Sequence, residues 1–276
     1  MAENDAVVEE DWSSHIQDSS LNGFVDHFME NIKLPGGQLM RLKCVTALTP
    51  FDMINLYNGH HDATGNRLWM GAQFFACAFN DLEKSIFAQK RVMELGSGTG
   101  FSGIALMMLC DQNECAPSQL VLTDADSNSL ELCRQNYELN LNNDERVAVR
   151  CLDWKDSSSN SQETFDTIIG TDVIYDVGVV TSLLSTVEKY LERDGFFVLS
   201  HIPRASLPGE SKIASTEEME KYICVEARKY SLRLRETVRP IDLSKTPKEY
   251  LKDISSMQEA GAALLLFVRE GSTSKR

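Results

Sequence analysis

The chain has 276 residues, of which 42% are hydrophobic, and a formal charge of −14 at pH 7. That length suits one large domain with an extension; no apolar run reaches the roughly 18 residues of a membrane span, and the acidic balance disfavours nucleic acid, whose affinity for proteins rests on basic surface. The charge suits a basic partner, such as a Lys-rich protein surface. Eight of the acids fall in the first 32 residues, which hold no Lys or Arg. The Met-Ala-Glu-Asn-Asp start lacks the basic and apolar regions of a signal peptide. Seven cysteines without a C-x-x-C pair read as reduced thiols of a cytosolic or nuclear protein.

Residues 1 to about 20 are polar and acidic and are expected to be disordered. Phe24, Val25, Phe28, Met29 and Ile32 recur at helical spacing, which predicts a short amphipathic helix broken by Pro35-Gly36-Gly37. Leu39 to Thr46 alternates as a strand. We divide the chain into an acidic, partly disordered N-terminal extension, 1–40, and a main domain, 41–270. His60 and His61 lie in a polar loop with no ligand partner at metal spacing, and read as solvent residues. Leu68-Trp69 opens a helical stretch through Ala72, Phe75, Ala76 and Phe79.

Strands and helices then alternate. Arg91–Leu95 is a buried strand, followed by four glycines (Gly96, Gly98, Gly100, Gly103) and a helix from about Phe101. Leu120–Thr123 is a second strand, ending at Asp124. Asp126 or Ser127 caps a helix whose buried face is Leu130, Cys133, Tyr137 and Leu141. Val147–Leu152 is a third strand, Ser157–Gln162 a polar loop, and Phe165–Ile169 a fourth strand. Val180 to Leu191 forms a helix stripe closed by Asp194-Gly195, before a fifth strand, Phe196–Ser200. Ser215 and Glu218 form a capping box for a helix to about Tyr230. Ser231–Val238 and Ala262–Val268 are strands six and seven, with a long connection around Pro240 between them. The alternation implies an α/β fold, a doubly wound and mostly parallel sheet with helices on both faces.

In such a sheet, ligands bind beyond the carboxyl ends of the strands. Strand, glycine turn and helix bring backbone amides and a positive helix N-terminus to a small ligand. Gly98 to Gly103 matches G-x-G-x-x-G, and Asp124 lies 21 residues further on, which taken alone suggests a nicotinamide-dependent oxidoreductase. Glu94 argues otherwise: a carboxylate just before the turn would repel a pyrophosphate and suit a cationic ligand. Asp124 offers two oxygens to a pair of ribose hydroxyls. Trp154 can lie flat on an adenine, with Asp153 reaching its amino group.

Glu94-Leu95-Gly96-Ser97-Gly98-Thr99-Gly100, Leu68-Trp69, Thr123-Asp124, Leu152-Asp153-Trp154 and Asp172-Val173-Ile174-Tyr175 together resemble the class I, seven-strand S-adenosylmethionine-dependent methyltransferases, and within them a protein-lysine methyltransferase group. The resemblance covers about residues 65 to 201. It implies a Rossmann-like sheet whose last strand inserts antiparallel. It implies S-adenosyl-L-methionine as cofactor, with S-adenosyl-L-homocysteine as product, contacted by Trp69, Gly96, Gly98, Asp124, Trp154 and Thr171; Glu94, Ser97 and Asp153 join them as candidate cofactor-binding residues. The family often has Ala where Thr171 stands. Asp172 and Tyr175 would face the acceptor nitrogen of a protein substrate, Asp172 orienting it and Tyr175 walling its channel. An arginine, a protein terminus or a small metabolite stays open as the acceptor. Nucleic acid, membrane and metal are not expected.

Overall fold

Strand alternation organises the molecule. The computed structural model describes residues 27–45, 63–156, 162–239 and 243–271. The acidic stretch 1–20, Phe24, Val25, Thr46, His60, His61, Pro240 and residues 157–161 of the polar loop lie outside the described residues. Numbered in chain order, the strands are β1 (Phe28–Lys33), β2 (Leu39–Cys44), β3 (Arg91–Leu95), β4 (Gln119–Asp124), β5 (Val147–Cys151), β6 (Phe165–Thr171), β7 (Leu191–His201), β8 (Leu232–Val238) and β9 (Ala263–Arg269). The helices are α1 (Met70–Ala78), α2 (Phe101–Gln112), α3 (Ser127–Leu141), α4 (Val180–Tyr190), α5 (Thr216–Arg228) and α6 (Leu251–Glu259). Seven strands form one sheet in the order β5-β4-β3-β6-β7-β9-β8. β3 to β7 pair in parallel, and β9 lies antiparallel between β7 and β8.

Period-two side-chain alternation divides the core between the two faces. Val92, Leu120, Leu122, Val198, Leu264 and Leu266 pack with α1, α2 and α6 on one face. Met93, Leu95, Val121, Phe197, Leu199 and Leu265 pack with α4 and α5 on the other. α2 is buried from Phe101 to Met107, so it shows no apolar stripe. α3 is capped by Asp126, whose side chain accepts the Ser129 N–H at 2.8 Å. The Ser215–Glu218 capping box is present at the start of α5.

Two expectations are corrected. Phe28, Met29 and Ile32 lie in a strand. β1 pairs antiparallel with β2 in a separate two-stranded sheet, and Pro35-Gly36-Gly37 makes the turn between them. Over so short a stretch, apolar spacing fits either period; burial of Ile32, Met40 and Leu42 in the core decides for the hairpin. The second correction concerns Asp194-Gly195, which does not close a helix. α4 ends at Tyr190 and β7 begins at once, with Asp194 at φ +62° inside an irregularity where the β6–β7 register shifts. A turn signal has been absorbed as a bulge.

The hairpin is fastened to α3 by two asparagines one turn apart. Asn136 accepts the Lys43 N–H at 2.7 Å and donates to the Lys43 carbonyl at 2.9 Å. Asn140 does the same for Arg41, at 2.9 and 2.7 Å. Their amides complete the edge of β2 as a neighbouring strand would. Asn136 also donates to the Thr99 carbonyl at 2.9 Å, which ties the hairpin to the glycine loop.

Candidate active site

The carboxyl ends of the parallel strands open into one cavity of about 450 Å³, within the size range of small-molecule sites. Trp69, Gly96, Ser97, Gly98, Asp124, Asp153, Trp154, Thr171, Asp172 and Tyr175 all line it. Residues as far apart in the chain as Trp69 and Tyr175 meet there because each ends or follows an adjacent strand, or opens α1.

The loop after β3 is held from several sides. Gly96 and Gly98 adopt φ of +66° and +50°, the left-handed region. A Cβ on Gly98 would lie 2.7 Å from the Gly65 carbonyl oxygen, and one on Gly96 would meet Val173 at 2.9 Å and Trp154 at 3.3 Å. The Ser97 N–H donates to the Thr123 carbonyl at 2.8 Å, and the Thr123 N–H to Ser97 Oγ at 2.9 Å. Asp124 accepts the Gly98 N–H on Oδ2 at 2.9 Å and the Asp126 N–H on Oδ1 at 3.0 Å. A carboxylate has about four lone-pair sites, so Asp124 can fix its own turn and still accept ligand hydroxyls. Asp153 is exposed, with Oδ1 taken by the Lys155 N–H at 2.8 Å. Trp154 packs beside Gly96, partly buried. The Ser102 and Thr171 hydroxyls share a hydrogen bond of 2.6 Å at the back wall.

Glu94 is the predicted residue that does not line the cavity. It falls on the same side of β3 as Val92, beneath α2, and is fully buried. Its Oε2 accepts the Gly103 N–H at 3.1 Å. Burial pushes its carboxyl up from 4.5 to about 8, against the hydrogen bonds from Ser97, Gly103 and Ser102. Burial thus favours the protonated form in the folded chain. A carboxyl that keeps its proton would neither repel a pyrophosphate nor attract a cation; in the structure Glu94 lies behind the cavity wall and fastens the start of α2 to the sheet.

Asp172 sits at φ +60° and is buried. Its N–H donates to the Ser200 carbonyl at 2.9 Å, while the Ser200 hydroxyl donates to the Gly71 carbonyl at 2.6 Å. The Gly71 N–H donates back to Asp172 Oδ2 at 3.1 Å. The ends of β6 and β7 thus clasp the first turn of α1. Trp69, just before that turn, donates its indole N–H to the Thr64 carbonyl at 2.8 Å. Tyr175 remains 46% exposed at the mouth.

Three charged cavity residues, Arg67, Lys155 and Arg204, escaped the sequence reading. Arg67 and Arg204 place their guanidinium carbons 5.2 and 5.0 Å from the Trp69 ring centroid. Arg204 also pairs with Asp172. Its position three residues beyond β7 was a usable signal, because it obeys the same strand-end rule as the other lining residues. The wall balances three carboxylates (Asp124, Asp153, Asp172) against three cations (Arg67, Lys155, Arg204).

The cavity can take a ligand that presents a pair of hydroxyls to Asp124, a flat ring to Trp154 and a narrow chain across Gly96 and Gly98. An S-adenosyl ligand has these parts. Bulk at either glycine would collide with the wall, so the cradle fits close backbone approach.

Comparison with known proteins agrees. A family profile described as lysine methyltransferase matches residues 51–214. The chain is similar to protein-lysine N-methyltransferase EFM3 of Chaetomium thermophilum, 28% identical over 137 residues, covering 47% of this chain and 39% of that protein. It is similar to protein N-lysine methyltransferase METTL21A of Xenopus tropicalis, 31% identical over 131 residues, covering 47% of this chain and 57% of that protein. It thus spans about half the length of these relatives. The solved fibrillarin pre-rRNA processing protein of Methanococcus jannaschii shares the fold, with a TM-score of 0.50 at 12% identity over 90% of this chain and 100% of that one.

Proposed function

The chain belongs to the lysine methyltransferase family, and on that premise we propose that it transfers a methyl group from S-adenosyl-L-methionine to a lysine side chain of a protein substrate. The observation that carries the reading is the convergence of the glycine cradle, Asp124, Trp154, Asp172 and Tyr175 on one cavity. Trp69, Gly96, Ser97, Gly98, Asp124, Asp153, Trp154 and Thr171 would hold the cofactor. When bound it supplies an electrophilic methyl on a sulfonium. The chain's own residues do the rest by holding nucleophile and methyl in line.

A lysine must lose its proton before it can attack. With an ordinary pKa of about 10.4, that costs roughly 4 kcal/mol near pH 7.4. Desolvation in the cavity lowers the cost. Asp172 is an orienting acceptor for the amine, and Tyr175 walls its channel. The charge of −14 supports a basic surface on the protein substrate. All seven cysteines are free thiols, which supports a reducing compartment, cytosol or nucleus. Among the described residues, no helix is long and apolar enough to cross a membrane.

The test is calorimetric titration with S-adenosyl-L-homocysteine and, in parallel, NADH, followed by transfer of labelled methyl into lysate proteins. Micromolar binding of the first alone, with label recovered on lysine, is expected. Binding of NADH alone would return the glycine triplet to an oxidoreductase. Label on arginine or on a small metabolite would keep the cofactor and change the acceptor.

A further inference from the structure

Arg204 holds Asp172 by both its side chain and its main chain. Nη1 lies 2.7 Å from Oδ1, and Nη2 donates to the Asp172 carbonyl at 3.0 Å. The Asp172 side chain is 1% exposed and that of Arg204 26%, so water screens the pair weakly. The Trp69 ring supports the guanidinium from one side. Oδ2 is occupied by the Gly71 N–H. Before any substrate arrives, Oδ2 thus accepts a hydrogen bond of this chain and Oδ1 lies against a guanidinium nitrogen in an ion pair.

This bears on the chemistry proposed above. A lone carboxylate beside the reacting amine would stabilise the ammonium form, which has no lone pair to attack with. The Arg204 guanidinium stands against that carboxylate at ion-pair distance. His201, at the end of β7, adds no charge: burial, then the charges of Arg204 and Arg239, push it down to about 4. We infer that Arg204 is a positioning residue that cancels the charge of Asp172, so that this end of the cavity accepts a lysine as the neutral amine while Asp172 keeps its hydrogen-bonding oxygens in place. The inference rests on the methyltransferase reading and adds a determinant of the acceptor's protonation state.

The experiment compares two ligands that differ in charge at one atom. S-adenosylmethionine carries a sulfonium; S-adenosylhomocysteine carries a neutral thioether in its place. Dissociation constants for both are measured by calorimetry on the full chain and on three variants. Arg204→Met uncovers the carboxylate and should shift the ratio of the two constants toward the sulfonium ligand by about fivefold, the effect of a unit charge some way off at an intermediate dielectric. Arg204→Lys keeps the charge and should restore the wild-type ratio. Asp172→Asn leaves the guanidinium uncompensated and should move the ratio about fivefold the other way; it carries the test should Arg204→Met fold poorly. A ratio unmoved in Arg204→Met and Asp172→Asn, with both affinities changed in parallel, would make Arg204 a structural prop and overturn the inference alone. Wild-type protein that binds neither ligand would overturn the cofactor reading and this inference with it.

Discussion

Replacing Glu94 by Gln should abolish a large pH dependence of stability. Glu94 is fully buried, and burial raises its carboxyl from 4.5 to about 8 in the folded chain. Below about pH 4.5 both the folded and the unfolded chain carry the proton, and the group makes no difference. As the pH rises toward 8, the unfolded chain loses that proton and the folded chain keeps it, so stability falls across this window. At about 1.36 kcal/mol per pH unit, the loss amounts to roughly 4 to 5 kcal/mol. Above the folded value the slope vanishes. Gln has nearly the same shape, does not ionise, can accept the Gly103 N–H, and can donate to the nearby Ser97 or Ser102 hydroxyls. Urea midpoints of both proteins, taken at intervals from about pH 5 to about pH 9, isolate the effect because the other titrations cancel. The two curves should meet near the acid end and separate by that amount at the alkaline end, with the variant the more stable. Affinity for S-adenosylhomocysteine should stay within about threefold, since Glu94 does not line the cavity. A gap that is constant with pH would refute the buried, protonated carboxyl. A large loss of ligand affinity would return Glu94 to the binding site.

Asn136→Ala removes three hydrogen bonds from a side chain with no exposure and should cost about 3 kcal/mol, whereas Asn140→Ala, whose partner Arg41 is exposed, should cost about 1 kcal/mol. Urea unfolding checks both, and equal costs would mean that burial is not what makes the Asn136 bonds strong. Gly98→Ala places a Cβ 2.7 Å from the Gly65 carbonyl oxygen at φ +50°, so the loop must shift. The left-handed conformation alone costs about 1 to 2 kcal/mol, and affinity for S-adenosylhomocysteine, read by calorimetry, should fall at least about tenfold.

The parallel sheet and most of its ligand face were legible in the sequence because they rest on local rules. Short apolar runs alternating with helical stripes require crossover connections, and those connections put every strand's carboxyl end on one edge. Gly96, Gly98, Asp124, Trp154 and Asp172 could be assigned to that edge from their positions alone. Asp126 and the Ser215–Glu218 pair could be read as caps because capping is local chemistry. Strand parity even contained the placement of Glu94, since a residue two positions from Val92 shares its face. A carboxylate beside a glycine loop merely looked more useful in the site than under a helix.

Other features had no local signature. Phe28 to Ile32 carries spacing compatible with a helix, and only its pairing with β2 and the burial of Ile32 against the core make it a strand. Arg204 could be placed at the ligand edge by its position just after β7, but its partner could not be read there. Its meaning depends on β7 ending beside β6, so that residues 32 positions apart share one hydrogen-bonded pair. Sequence thus determined the order of elements and the edge on which chemistry occurs, because periodicity and turn chemistry act over a few residues. Tertiary structure decided which partners each carboxyl on that edge meets and which carboxyl, Glu94, is buried beneath it, because burial and ion pairing are set by neighbours that the chain order does not name.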